Sequence, residues 1–369
     1  METSLPFQIA LTLIPQLGPV KGKKLLEQLE PPEIFNCPAK DLEKIEGIGT
    51  LLANNIAQFD QWKRVEEELT FIERNQIKPL FIGQQEYPHR LLHCNDAPLL
   101  LYVKGSAHLN AKRMIAVVGT RRNTLAGRLA TEKLIEALSP YNISIVSGMA
   151  YGIDTIAHQA ALREKIPTIG VLAHGLDRIY PPANRSLAKQ IIQQGGALLT
   201  ENRKGVQAEE FLFPKRNRIV AGMTDATIVM ESDLKGGSLI TAQLAADYGR
   251  EVFALPGRIT DKFSSGCLAI IKKQRALLFT SAEDITDWLG WTIETDRTIM
   301  RNEKSKEIAE NLSAEEKFLH RIIQKNETAN FESLLQETSW PVTKLSGILL
   351  NMELAGLIVS LPGNCYSVI

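Results

Sequence analysis

The sequence predicts an α/β protein: a doubly wound parallel sheet, flanked by a small helical N-terminal domain and by a C-terminal domain of three helices and a hairpin. Three observations predict it. Short runs rich in Val and Ile recur through the middle of the chain, separated by helix-length stretches, as strands buried on both faces of a sheet require. A glycine or small polar residue follows almost every run, where a strand of an open sheet hands over to its helix. Charge is uneven although the total is zero. Residues 81–285 carry 25 basic and 18 acidic side chains, against 9 and 12 in residues 1–80 and 8 and 12 in residues 286–369. The middle segment is therefore the expected anion binder.

Taken in order, residues 1–80 read as helices. Leu17-Gly18-Pro19-Val20-Lys21-Gly22 and Ile45-Glu46-Gly47-Ile48-Gly49-Thr50 each lead a small-residue turn into an apolar helical stretch. Such paired turns resemble helix-hairpin-helix (SAM-like) motifs, whose amides hold a DNA phosphate. The acidic balance favours a plain helical bundle with turn glycines. Residues 81–289 supply the strands Met114–Val118, Ile143–Val146, Thr168–Leu172, Ala197–Leu199, Ala226–Met230 and Glu251–Leu255. Helices are expected at Leu125–Leu138, Ile153–Leu162, Ala183–Gln194 and Leu239–Tyr248. Residues 290–311 are charged and polar and read as a linker. Residues 312–369 give helices at Ser313–Lys325, Phe331–Glu337 and Val342–Leu354, then a hairpin turning at Pro362-Gly363-Asn364, and resemble a winged helix. Its third helix offers Lys344 and Glu353 but no Arg, so duplex reading is not expected.

Composition narrows the function classes. With 44% hydrophobic and 23% charged residues in 369, the chain is an ordinary globular protein, not a disordered one. Its apolar runs are too short to cross a bilayer, and no basic segment precedes the apolar start, so neither a membrane span nor a secretory signal is expected. Cys37, Cys94, Cys267 and Cys365 are scattered, which suggests no zinc site and a reducing cytoplasm.

Ligands of open parallel sheets bind beyond the strand ends, so the residues found there carry the chemistry. They are Gly119-Thr120-Arg121-Arg122, Ser147-Gly148-Met149-Ala150-Tyr151-Gly152, Ala173-His174-Gly175, Thr200-Glu201, Glu231-Ser232 with Lys235-Gly236-Gly237-Ser238, and Pro256-Gly257. Glycines admit close approach and turn N–H groups toward an anion. Helix starts near Ile153 and Leu239 add positive ends. Ser147 and Ser238 add hydroxyls, and Arg121, Lys215, Arg216, Arg218 and Lys235 add charge. The pattern describes a phosphate pocket. The dinucleotide and P-loop fingerprints are absent. Asp154 with His158 suits a helix start better than a catalytic pair, and His174 shows no evident partner. Phe211, Phe213 and Tyr180 are candidate base contacts.

The runs Val117–Arg121, Ile145–Asp154 with Ala157-His158, Gly175–Asp177 with Tyr180-Pro181 and Asn184, Phe213–Gly222, and Lys235–Ala242 closely resemble the DNA-processing protein A (DprA/Smf) family from about Ile82 to about Ile285. The resemblance implies an extended Rossmann-like fold with a helical N-terminal domain and a C-terminal winged helix. It implies a non-enzymatic binder of single-stranded DNA, without cofactor or metal. Such proteins protect incoming strands in natural transformation and help load the RecA recombinase, acting as homodimers in the cytoplasm. Carried over by motif, the DNA pocket comprises Arg121, Ser147, Gly148, Lys215, Arg216, Asn217, Arg218, Lys235, Gly237 and Ser238. Lys235-Gly236-Gly237-Ser238 stands where the family has Lys-Ser-Gly-Ser, and the Gly-x-Asn block expected after Pro256-Gly257 is missing, so no role is carried over from that region. The rival is a lysine-decarboxylase-like phosphoribohydrolase acting on nucleoside monophosphates, suggested by Arg216–Ala221 and Gly236-Gly237. Thr241-Ala242-Gln243 stands where that family places its glutamates, which argues against it.

Overall fold

The computed structural model describes residues 4–293, 313–325, 329–354, 357–361 and 365–368. It divides into two compact units at Trp291. In the first unit, nine strands among the described residues form one sheet: β1 (Lys78–Phe81), β2 (Leu100–Gly105), β3 (Met114–Val118), β4 (Ser144–Ser147), β5 (Thr168–Val171), β6 (Ala197–Thr200), β7 (Ala226–Val229), β8 (Glu251–Ala254) and β9 (Leu277–Leu278). Their order is β1-β2-β6-β5-β4-β3-β7-β8-β9. From β6 to β9 all pairs are parallel.

Alternation along β3 builds the core on both sides. Met114, Ala116 and Val118 join one apolar cluster with Val146, Val171, Leu199 and Val229. Ile115 and Val117 join the other with Ile145, Ile228 and Phe253. Every residue of β3 is buried, which is why its sequence reads as an unbroken apolar run. The chain leaves β3 in one direction through β4, β5 and β6, then returns to lay β7 against β3's free side. The gap between the β3 and β7 ends is thus a topological switch point, the place such sheets keep for ligands.

Two strands on one edge lie outside the sequence reading. β1 and β2 pair antiparallel with each other, and β2 runs antiparallel to β6. The helical segment packs on them: Ile9, Leu25, Leu52 and Ile56 share one buried cluster with Phe81, Leu100 and Tyr102. Helix Pro19–Leu26 approaches so closely that a Cβ on Gly22 would overlap the Leu99 side chain. The stretch 212–222, unassigned from sequence, is the helix Leu212–Gly222.

In the second unit, helices Ala314–Lys325, Phe331–Thr338 and Val342–Leu354 enclose Leu319, Leu334, Leu345 and Met352. The wing has three strands rather than two, because β10 (Ala329–Asn330) pairs with β12 (Cys365–Val368) beside β11 (Ile358–Leu361). Lys344 forms an ion pair with Glu315 and lies 5.0 Å from the Trp340 ring. The expected linker lies outside the described residues from position 294 onward, as does the expected turn Pro362-Gly363-Asn364.

Candidate functional site

A cleft of about 410 Å³ opens at the switch point. The turn after β3 contributes Thr120, Arg121 and Arg122, and the turn after β4 contributes Gly148, Ala150 and Asp154. Helix Leu212–Gly222 contributes Phe213, Arg216 and Asn217, and the turn after β7 contributes Asp233 and Gly236. The helix that follows, Gly237–Asp247, contributes Gly237, Ser238, Ile240 and Thr241, and the loop after β8 contributes Lys262 and Phe263.

The floor is held by local fits. Gly152 has φ +76°, and a Cβ there would overlap the Thr120 carbonyl oxygen, so the β3 and β4 turns touch only because this residue is glycine. Behind it the Ile153–Arg163 helix begins, and the Ile153 N–H donates to that same carbonyl at 3.2 Å. A Cβ on Gly148 would overlap the Arg216 guanidinium. Arg216 is 5% exposed, and its Nη1 donates to the carbonyls of Gly148 and Val171. Burial pulls its pKa down to about 10, with Asp154 opposing and Arg121 adding to the fall, so it stays charged at neutral pH. Burial pushes the Asp154 carboxyl up, against the pull of Arg216 and of the Ala150 N–H, which it accepts at 3.2 Å. Arg216 is therefore a buried positive strut beneath the cleft.

The rim is different. Arg121 is exposed and its guanidinium lies 5.1 Å from the centre of the Phe213 ring. Tyr180 continues the row, 6.0 Å from Phe213 and 44% exposed. A cation over one ring, with a second ring beside it, offers a phosphate partner next to apolar faces. Four cations (Arg121, Arg122, Arg216, Lys262) and two carboxylates (Asp154, Asp233) line the cleft, a positive balance; Lys262 and Asp233 form a long, exposed ion pair at 3.6 Å, which solvent screens.

The residues singled out from sequence separate into groups. Arg121, Gly148, Arg216, Asn217, Gly237 and Ser238 come together in the cleft. Gly237 begins its helix in open space, with its backbone available, whereas the Ser238 hydroxyl donates to Ser232 Oγ at 2.8 Å. The Ser147 hydroxyl is spent on the Val117 carbonyl at 2.7 Å and faces no ligand space. Lys235 is exposed and outside the cleft lining. Lys215 and Arg218 turn away to a second cavity, where Arg218 pairs with Glu201. Their neighbours in sequence, Arg216 and Asn217, point the other way because the stretch is helical. Arg122, Lys262 and Phe263 also line the cleft and are not part of the pocket the resemblance implies. Arg122 was legible as the next residue of the Gly-Thr-Arg turn, while Lys262 and Phe263 lie in the region without a recognisable motif.

The histidines and glutamates have structural work. His158 is fully buried with Nδ1 2.7 Å from the Thr168 hydroxyl, and burial pulls its pKa down to about 3. His174, expected to lack a partner, bridges the Gly175 carbonyl and the Tyr180 N–H, at 2.9 and 3.1 Å, and so holds the Tyr180 loop. Glu231 accepts from the Thr124 hydroxyl at 2.6 Å and the Thr124 N–H at 2.9 Å, at the start of helix Leu125–Leu138. Glu231, a carboxylate at a strand end that a phosphoribohydrolase could have used for acid–base work, is thus engaged in capping.

Comparison with known proteins gives consistent matches. Residues 78–290 match the family model described as DNA recombination-mediator protein A, and residues 303–364 match a DprA winged helix domain. The chain is 34% identical over 305 residues to the protein Smf of Escherichia coli, covering 82% of this chain and 80% of that one. The crystal structure of DNA processing protein A from Streptococcus pneumoniae superposes with a TM-score of 0.67 at 34% identity, over 76% of this chain and 97% of that one. DNA processing protein A of Helicobacter pylori, whose structure is described in terms of its single-stranded DNA binding mode, gives 0.52 at 32% identity, over 58% and 95%. Among the described residues, no helix is long and apolar enough to cross a membrane.

Proposed function

The chain belongs to the DNA recombination-mediator protein A family, and from that premise we propose that it binds single-stranded DNA through the phosphate backbone, without catalysis, in the switch-point cleft. The observation that carries the reading is the exposed Arg121 stacked on Phe213 above a floor of backbone groups at Gly148 and Gly237. Arg121, Arg122 and Lys262 take phosphates, Phe213 and Tyr180 take base faces, and Arg216 keeps the floor positive from below. Unpaired strands fit this arrangement because a duplex hides its base faces. The strand so held is protected and passed to the RecA recombinase in the cytoplasm during natural transformation, in keeping with the mediator description of the matched family. Leu278 of β9 is 51% exposed, and β9 is an open sheet edge; this edge suits a homodimer contact of the central fold.

A gel-shift titration with single- and double-stranded oligonucleotides of one sequence tests the proposal. Tighter binding of the single strand, lost in Arg121→Ala, is expected. Equal affinity for both forms, or indifference to Arg121, overturns it.

A further inference from the structure

The second cavity, about 540 Å³, lies between the helical segment and the sheet. Its volume is in the range of small-molecule sites. Leu17, Gly18 and Pro19 of the helical segment face Arg203, Lys215 and Arg218 across it.

Arg218 is the unusual feature. Its side chain is 9% exposed, and Nη2 is paired with the Glu201 carboxylate, yet Nη1 is buried without a hydrogen-bond partner. The Nε of Arg203, on the same cavity, is also buried and unpartnered. An orphan donor on a charged group costs a fold more than a neutral one, and two of them belong to residues lining one cavity. The other charges are accounted for. Asp96 accepts from the Tyr248 hydroxyl at 2.6 Å, and the Lys23 ammonium donates to the Cys94 carbonyl. Glu201 neutralises Arg218, which leaves Arg203 and Lys215 against Asp96. Helix Pro19–Leu26 starts at this cavity with Gly18 as its N-cap and no side-chain cap, adding a positive helix end.

The site is also preorganised. The Lys204 N–H donates to both oxygens of Glu68 at 3.1 Å, and the Gly205 N–H to Asp177 at 3.1 Å, so the loop carrying Arg203 is tied down at two points. The same cavity also has apolar lining, with Pro98, Leu99 and Leu212. Fixed cations together with apolar lining suit an anion with a flat body.

We propose that this cavity binds a nucleotide: its phosphate on Arg218, Arg203 and the helix start, its base against the apolar wall. The inference is independent of DNA binding in the switch-point cleft, because it uses neither Arg121 nor Arg216. The same chemistry has two sources, a free nucleoside monophosphate or the 5′-phosphorylated end of a strand.

Isothermal titration calorimetry on the full chain with AMP and dTMP, and with 5′-phosphorylated and unphosphorylated oligo-dT, separates them. Binding of a free nucleotide by wild type and by Arg121→Ala alike, weakened at least tenfold in Arg218→Gln, is expected for the first source. For the second, a 5′-phosphate tightens oligonucleotide binding and Arg218→Gln abolishes that gain. Thermal melting reports whether Arg218→Gln is folded. If it is not, Lys215→Ala, at an exposed position, takes its place with a severalfold loss expected. The proposal fails if wild type neither binds a nucleotide nor discriminates the 5′-phosphate, or if the folded variants bind as wild type does.

Discussion

Replacing Arg121 by alanine removes one cation from the rim without touching the floor, because Arg121 is exposed and its ring partner Phe213 belongs to a different element. A charge-assisted hydrogen bond to phosphate contributes about 1.5–3 kcal/mol. The exposed position puts this contact at the low end through solvent screening, so affinity falls by roughly tenfold. The salt dependence is the sharper readout. Each phosphate contact on a single strand contributes a slope of about −0.7 in log K against log salt. With Arg216 committed to the Gly148 and Val171 carbonyls, the rim cations Arg121, Arg122 and Lys262 give a wild-type slope of about −2. Arg121→Ala brings it to about −1.4, equally for oligo-dT and for mixed sequences. Fluorescence anisotropy titrations at a series of sodium chloride concentrations measure both quantities. A tenfold loss with an unchanged slope would mean that Arg121 only positions Phe213. A loss confined to certain sequences would mean that it reads bases. Either result refutes the backbone-grip reasoning.

Other predictions test the scaffold. Gly152→Ala forces a side chain onto the Thr120 carbonyl at a positive φ, and should destabilise the fold by about 1–3 kcal/mol or more; an unchanged denaturant midpoint would be the contrary result. His158 is neutral in the fold, with its pKa held near 3 against an ordinary 6.5. The unfolded chain therefore takes up a proton that the fold refuses, and stability is lost as pH falls below about 6.5, by at most about 1.4 kcal/mol per pH unit down to the folded value. Denaturation curves between pH 7 and pH 4 should be shallower in pH dependence for His158→Gln than for wild type; parallel curves would remove His158 from the account. Deleting residues 312–369 should leave single-strand affinity within about twofold, since the Lys344 ammonium is taken by Glu315; a large loss would assign that unit a share of the grip.

The central sheet was legible because buried parallel strands leave a distinct trace, and Met114–Val118 and Leu125–Leu138 have the bounds their sequences suggest. β1 and β2 were not. Lys78–Phe81 carries a proline and a lysine on an edge, where strands need no alternation or apolar run. Leu100–Gly105 is apolar, but its direction is set by tertiary pairing with β6, which local sequence does not encode. The family resemblance, which begins at about Ile82, covers β2 without making that strand visible and leaves β1 outside it.

The site was legible turn by turn but not face by face. Glycines and cations after strand ends announce a ligand edge, yet they do not say which side chains share one space. The stretch Phe213–Val220 decides this. As a run of letters, Lys215 to Arg218 is one cationic cluster. As a helix, it sends Phe213, Arg216, Asn217 and Val220, at i, i+3, i+4 and i+7, to the switch-point cleft, and Lys215 and Arg218, three apart, to the other cavity. Treating the run as helical would have divided it before any coordinates were known. The division has a physical consequence: two cationic pockets back to back on one helix share its rigidity but not their charges. Arg216 satisfies two carbonyls and serves the cleft as a fixed field, whereas Arg218 keeps a buried donor unpaired. Substitutions at these two positions, two residues apart in sequence, should therefore affect different ligands.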